Sequence, residues 1–140
     1  MPDPRTIKVG DELPVFQRAT GFHNWNRFAA VNDEFVPIHM DDEAGRNAGY
    51  PTAFGMGNLQ WAYLHNMLRN WVGDDGDILE LSCQFRRPNI KEQTVTARGV
   101  VTSVAQEDGR QVVELEVWTE EQNGSKLAPG RARVALGATN

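Results

Sequence analysis

The stretch Asn32-Asp33-Glu34-Phe35-Val36-Pro37-Ile38-His39-Met40-Asp41 places a carboxylate, Glu34, and an imidazole, His39, five residues apart with a proline between them. These are the two side-chain types best suited to moving protons near neutral pH. Adding water to an activated alkene needs a base to take a proton from water and an acid to deliver one to the α-carbon. A carboxylate and a histidine that both reach one water can share those duties. The same spacing also occurs in ordinary surface loops, so the pair gains meaning only from its surroundings.

A second feature is Phe54-Gly55-Met56-Gly57, at the start of the longest helical pattern. A helix start offers unpaired N–H groups and a partial positive charge, and glycine lets a ligand oxygen approach the backbone. Such a site could hold a thioester oxygen as it becomes enolate-like. The alternative is that the glycines serve only tight packing between loop and helix. Arg86, Arg87 and Lys91 cluster further on; guanidinium groups suit phosphate oxygens, although a solvated turn would look the same. His65 reads as a core or interface histidine and Cys83 as a buried, inert thiol. Trp25, Trp61, Trp71 and Tyr63 read as core, with Trp61 or Tyr63 also able to line an apolar acyl pocket. The histidines His23, His39 and His65 show no metal-ligand spacing, so no metal is expected.

The elements that must position these residues divide the chain. Thr6 to about Phe16 reads as an extended lead-in. A helix fits His23–Asn32, where Trp25, Phe28 and Ala29 form one stripe. Pro37 biases Val36 to an extended shape. Asp41 can cap a short helix through about Ala48, ended by Gly49. The long pattern from Gly55 to Val72 is apolar nearly all round, which predicts a buried helix. Beyond it Leu79, Leu81, Cys83 and Phe85 alternate with Glu80, Ser82 and Gln84, and Val95, Ala97, Gly99 and Val101 alternate with Thr94, Thr96, Arg98 and Val100. Asp108-Gly109 and Asn123-Gly124 are hairpin signals, with strands around Val113–Val117 and Gly130–Leu136. Helices first and an antiparallel meander second is the α+β order. A single buried helix followed by strands predicts a sheet wrapped around that helix.

With these pieces together the chain resembles the MaoC-like family of (R)-specific enoyl-CoA hydratases and dehydratases. The family signature reads Asp-x-Asn-Pro-x-His-x-Asp, then an Ala/Gly-rich segment, then His-Gly-Met opening the central helix. The matching residues here are Glu34, Val36, Pro37, His39, Asp41, Ala44, Gly49, Gly55 and Met56, and Phe85-Arg86-Arg87-Pro88 looks like the family's Phe-Arg-x-Pro strand end. The likeness runs from about Val9 to Leu136. Three positions depart from the pattern: Glu34 stands where the family has Asp, Val36 where it has Asn, and Phe54 where it has His.

The resemblance implies a single-domain hot-dog fold, an antiparallel sheet curled around one long helix. It implies a dimer, homodimeric or a dimer of dimers, with the sheets joined and an acyl-CoA along the interface. Carried over by position, Glu34 and His39 are the catalytic pair and Gly55 supplies the oxyanion-hole N–H. Phe54, Met56, Trp61, Arg86 and Arg87 are the expected substrate contacts. Coenzyme A enters only as part of the substrate, with no separate cofactor. Two other readings follow from the same residues. The departures suit a structural subunit that completes a heteromer with a second hot-dog chain. A thioesterase is disfavoured, since the helix from Gly55 to Val72 carries no acid.

Bulk properties fit this picture. The chain has 140 residues, 40% hydrophobic and 24% charged, enough for one domain with a real core. Its net charge of −5, with no basic block, gives no support to a nucleic-acid partner. One cysteine fits a reducing compartment. The start lacks the apolar run of a signal peptide, and no stretch approaches the roughly 18 apolar residues of a membrane span. A cytoplasmic protein with no membrane partner is therefore expected.

Overall fold

A computed structural model describes residue 3 and residues 6–137. The chain forms β1 (Phe16–Ala19), α1 (Phe22–Asn32), a 3-10 turn (Pro37–His39), α2 (Asp42–Asn47), α3 (Gly57–Val72), β2 (Asp77–Cys83), β3 (Thr94–Glu107), β4 (Arg110–Glu120) and β5 (Lys126–Leu136). The strands make one antiparallel sheet in the order β1-β3-β4-β5-β2, and α3 packs against every one of them. Leu64, Leu68 and Val72 of the helix meet Leu115, Val117 and Val134 of the sheet in one continuous core.

The meander forms where alternation and turn chemistry place it. Asp108 and Gly109 both take positive φ, 50° and 80°, as a two-residue hairpin with the right twist requires. The second connection is longer. The Glu121 carboxylate accepts from the N–H groups of Asn123 and Ser125, both at 2.8 Å, and so ties the turn to itself. β5 begins at Lys126, earlier than the sequence suggested. Pro129, which lacks an N–H, is accommodated just past Gly130, the last residue that pairs with β2.

The extended lead-in runs along β3 over residues 10–13 through isolated bonds, such as Leu13 N–H to Gly99 O at 2.9 Å, and regular pairing starts only at Phe16. One expectation changes: the long helix is not buried all round. Its inner side is Leu59, Gln60, Tyr63, Leu64, Met67, Leu68 and Val72, whereas Trp61 is 43% exposed and His65 is exposed beside it. Trp61 is therefore not core, although the period of 3.6 sets it on the same side as Leu64 and Leu68, three and seven residues on; burial at this end of the helix falls on Leu59, Gln60, Tyr63 and Leu64. A polar residue, Gln60, takes the buried position instead. It is held by Thr119, whose hydroxyl donates to Gln60 Oε1 at 2.7 Å while accepting from Ala128 N at 3.1 Å.

Candidate active site

The loop that carries the acid–base pair is shaped at both ends. Asp33 ends α1 in the left-handed region (φ 54°, ψ 42°), and the Glu34 N–H returns to Ala29 O at 3.0 Å. Val36 is extended ahead of Pro37, as a residue before proline should be (φ −101°, ψ 127°). Pro37 opens a 3-10 turn whose first carbonyl accepts from Met40 and Asp41 at 3.0 and 2.9 Å. Asp41 then caps α2 through Ala44 N–H at 3.1 Å, as expected.

His39 lies at the end of this turn and is buried, with 8% exposure. Its Nδ1 is 2.7 Å from the carbonyl oxygen of Phe54. A carbonyl can only accept, so Nδ1 must carry the proton, and in the neutral ring Nε2 is left with the free lone pair. Glu34 is half-buried, and among the described residues its carboxylate has no hydrogen bond or ion pair, with His39 or otherwise. The two groups thus share one stiff loop without neutralising each other.

Phe54 is the hinge of the site. Its N–H donates to Ile38 O at 3.1 Å, its carbonyl holds His39, and it bridges to Ile90 across the chain. Its ring meets the rings of His39 and Tyr50 edge-on, at 5.4 and 4.8 Å between centroids.

The Gly55 N–H, expected to face a ligand, is already donated to Asn89 O at 2.7 Å. That expectation is corrected, since a donor spent on a carbonyl at this distance cannot also steady an oxyanion. Gly55 is instead a glycine for packing: a Cβ there would lie 2.7 Å from Trp25 Nε1 and 3.1 Å from Asn89 Oδ1. Gly57 likewise sits beneath the Phe85 ring, 2.6 Å from where its Cβ would be. The backbone amides of Gly57 and Asn58, in the first turn of α3, have no acceptor among the described residues.

The remaining expected contacts separate. Met56 is wholly buried in the core, so it supports the site from beneath and does not face a substrate. Trp61 is 43% exposed on α3, with its ring centre 6.3 Å from that of His65. Arg86 and Arg87 are exposed on the rim of a broad groove along β2, β4 and β5, shared with Lys126 and Arg131. Among the described residues the Arg86 guanidinium bonds only to Gln84 Oε1, at 3.3 and 3.4 Å. Lys91 differs from its neighbours, because its ammonium is bound to Asp42. Cys83 is a free, half-buried thiol whose pKa burial pushes up.

Sequence reasoning missed Asn89, Asp42 and Lys91 as a framework. Asn89 is 1% exposed; its carbonyl takes Gly55 N–H, and its amide donates to Thr20 Oγ1 at 2.9 Å and to Ile90 O and Gln93 Oε1. Its only sequence signal is an asparagine directly after Pro88, a common turn pattern.

Known proteins match this arrangement. The family model described as MaoC like domain matches residues 8–124. The (R)-hydratase from A. caviae involved in PHA biosynthesis superposes with a TM-score of 0.83 at 23% identity, over 95% of this chain and 99% of that one. R-hydratase PhaJ1 from Pseudomonas aeruginosa gives 0.85 at 17%, over 98% and 86%. The ChsH1–ChsH2 complex from Mycobacterium tuberculosis gives 0.81 at 17%, over 94% and 99%. At these identities the likeness speaks for the fold, which is the hot-dog fold. No curated protein matches the chain.

Proposed function

The chain belongs to the MaoC-like domain family, and from that premise we propose that it adds water to the double bond of a trans-2-enoyl-CoA, or removes it from the (R)-3-hydroxyacyl product. The observation that carries this reading is the bond between His39 Nδ1 and the Phe54 carbonyl, which in the neutral ring turns the lone pair to Nε2, where it can act as a base. Glu34, in the same loop and free of partners, is the second proton carrier.

In this reading Glu34 and His39 polarise one water, whose oxygen attacks the β-carbon of the thioester. A proton is returned to the α-carbon as the enolate-like oxygen collapses. The groups left to steady that oxygen are the free amides of Gly57 and Asn58 at the positive end of α3, in place of Gly55. Phe54 and Tyr50 give the site an aromatic wall. Arg86 and Arg87 are the cations assigned in this reading to the phosphates of coenzyme A.

A second copy of the chain is part of the proposal. Among the described residues β2 pairs only with β5, so it stands at an edge of the sheet. Leu79, Phe85 and Trp61 are 47%, 53% and 43% exposed, and a joining sheet would cover apolar surface of this kind. Similarity to the ChsH1–ChsH2 complex supports a second reading in which that copy is a different hot-dog chain.

The experiment is turnover of a panel of enoyl-CoAs by the wild type, Glu34→Gln and His39→Asn, with the purified chain alone and with its oligomeric state measured. Loss of hydration in both variants is expected. Equal turnover by all three would remove the assignment.

A further inference from the structure

We propose that the ion pair between Asp42 and Lys91 is a positioning pair for His39, acting through Ala53 and Phe54. The inference rests on the acid–base role proposed for His39, but its geometry stands apart from that role.

Asp42 lies three residues after His39, at the start of α2. One of its carboxylate oxygens, Oδ1, accepts the Ala53 N–H at 3.0 Å, and the other, Oδ2, meets Lys91 Nζ at 2.5 Å. The residue after Ala53 is Phe54, whose N–H reaches back to Ile38 and whose carbonyl holds His39 Nδ1. The segments 38–42 and 52–54 are therefore joined by three bonds, and Asp42 makes the one furthest from the imidazole.

Lys91 fixes the orientation of that carboxylate. Its ammonium lies 4.6 Å from the centre of the Phe22 ring at the start of α1, and its N–H reaches Thr52 Oγ1 at 3.4 Å. One turn on from Asp42, on the same face of α2, Gly45 packs so closely that a Cβ would fall 2.0 Å from Thr52 O. The helix and the 52–54 segment thus have one relative placement, and the charge pair selects the carboxylate rotamer that maintains it. Without the cation, the half-exposed carboxylate turns to water, the buried Ala53 N–H loses its acceptor, and the Phe54 carbonyl is free to drift from Nδ1. The imidazole then has no fixed tautomer. The Asp42 carboxyl is held below the ordinary carboxylate range, first by Lys91 and then by the Ala53 N–H, in keeping with both contacts.

The test reads the ring itself. In the wild type, nitrogen NMR signals of His39, assigned by their loss in His39→Asn, are expected to show a neutral ring protonated at Nδ1 alone. Lys91→Met and Asp42→Asn are expected to give a mixture of the two tautomers, and Lys91→Arg to keep the wild-type pattern. Hydration by Lys91→Met should fall about tenfold in kcat with KM nearly unchanged, as a small misplacement of a base does. Lys91→Met and Asp42→Asn proteins that fold with unchanged Tm and retain the single tautomer would overturn the proposal. So would Lys91→Arg losing it while Lys91→Met keeps it. A wild type with the fixed tautomer but no hydration of any enoyl-CoA would sink the functional reading and leave the positioning role standing.

Discussion

The His39 ring stands perpendicular to the Phe54 ring, 89° between planes, while its Nδ1 bonds to the carbonyl of the same residue. One residue thus restrains the imidazole twice, once by side chain and once by backbone. Phe54→Ala removes only the first restraint, together with the contact to Tyr50. Urea unfolding should show a loss of about 1–3 kcal/mol from the two aromatic contacts. Turnover should fall less than in His39→Asn, because the carbonyl remains.

Gly45, Gly55 and Gly57, three of the glycines packed too closely for a Cβ, should differ in what an added methyl costs. At Gly45 the methyl meets the backbone carbonyl of Thr52 at 2.0 Å, which cannot move without shifting α2. At Gly55 it meets the buried Trp25 indole at 2.7 Å, and at Gly57 the Phe85 ring, which is 53% exposed and can swing away. Thermal unfolding of the alanine variants should rank Gly45 as most damaging, then Gly55 at about 1–3 kcal/mol, then Gly57.

Gln60 and Thr119 form a fully buried polar pair, at 2% and 0% exposure. Thr119→Val strands both Gln60 Oε1 and the Ala128 N–H, whereas Gln60→Leu strands mainly the Thr119 hydroxyl. Denaturant titration should therefore find Thr119→Val the costlier change. Each stranded group is worth about 1–3 kcal/mol.

Burial raises the Tyr63 phenol from 10.0 to about 12, against a smaller opposing effect of Arg18. The folded pKa lies above the unfolded one, so the stability tied to Tyr63 is complete below pH 10. It is lost as pH rises toward 12. Absorbance titration should show a late phenolate step that disappears in Tyr63→Phe, and the alkaline fall in stability should flatten in the same variant.

The acid side has the opposite sign. Asp42 is held below its ordinary value of 3.8 by Lys91 and Ala53. Its contribution is present above that value and is lost as pH falls through the lower folded pKa. Stability measured from pH 6 downward should fall less steeply in Asp42→Asn than in the wild type.

Much of the fold was legible because burial writes a period into the chain. The alternation around Val95–Val101 and the Asp108-Gly109 turn placed the meander, and Asp41 announced the cap of α2. What was not legible depends on partners distant in sequence. Nothing local to Gly55 says that its N–H is spent on Asn89, and nothing local to Lys91 separates it from Arg86 and Arg87 as an anion ligand. Trp61 read as core because an amphipathic helix with wide apolar coverage leaves its outer edge undefined. In the candidate site Glu34 and His39 stand out in the sequence only through the resemblance to the family signature, and the bond that assigns the imidazole proton belongs to a carbonyl in another segment.

The sheet order has a further consequence. β3, β4 and β5 are successive in the chain and pair as hairpins, whereas the site is stitched from residues 38–42, 52–55 and 89–93 by a few bonds between short segments. Protection of amides against deuterium should therefore be deepest in the hairpins and shallowest at Ala53, Phe54 and Gly55. The loop-built end that carries His39 is then expected to open and reclose more readily than the hairpin half.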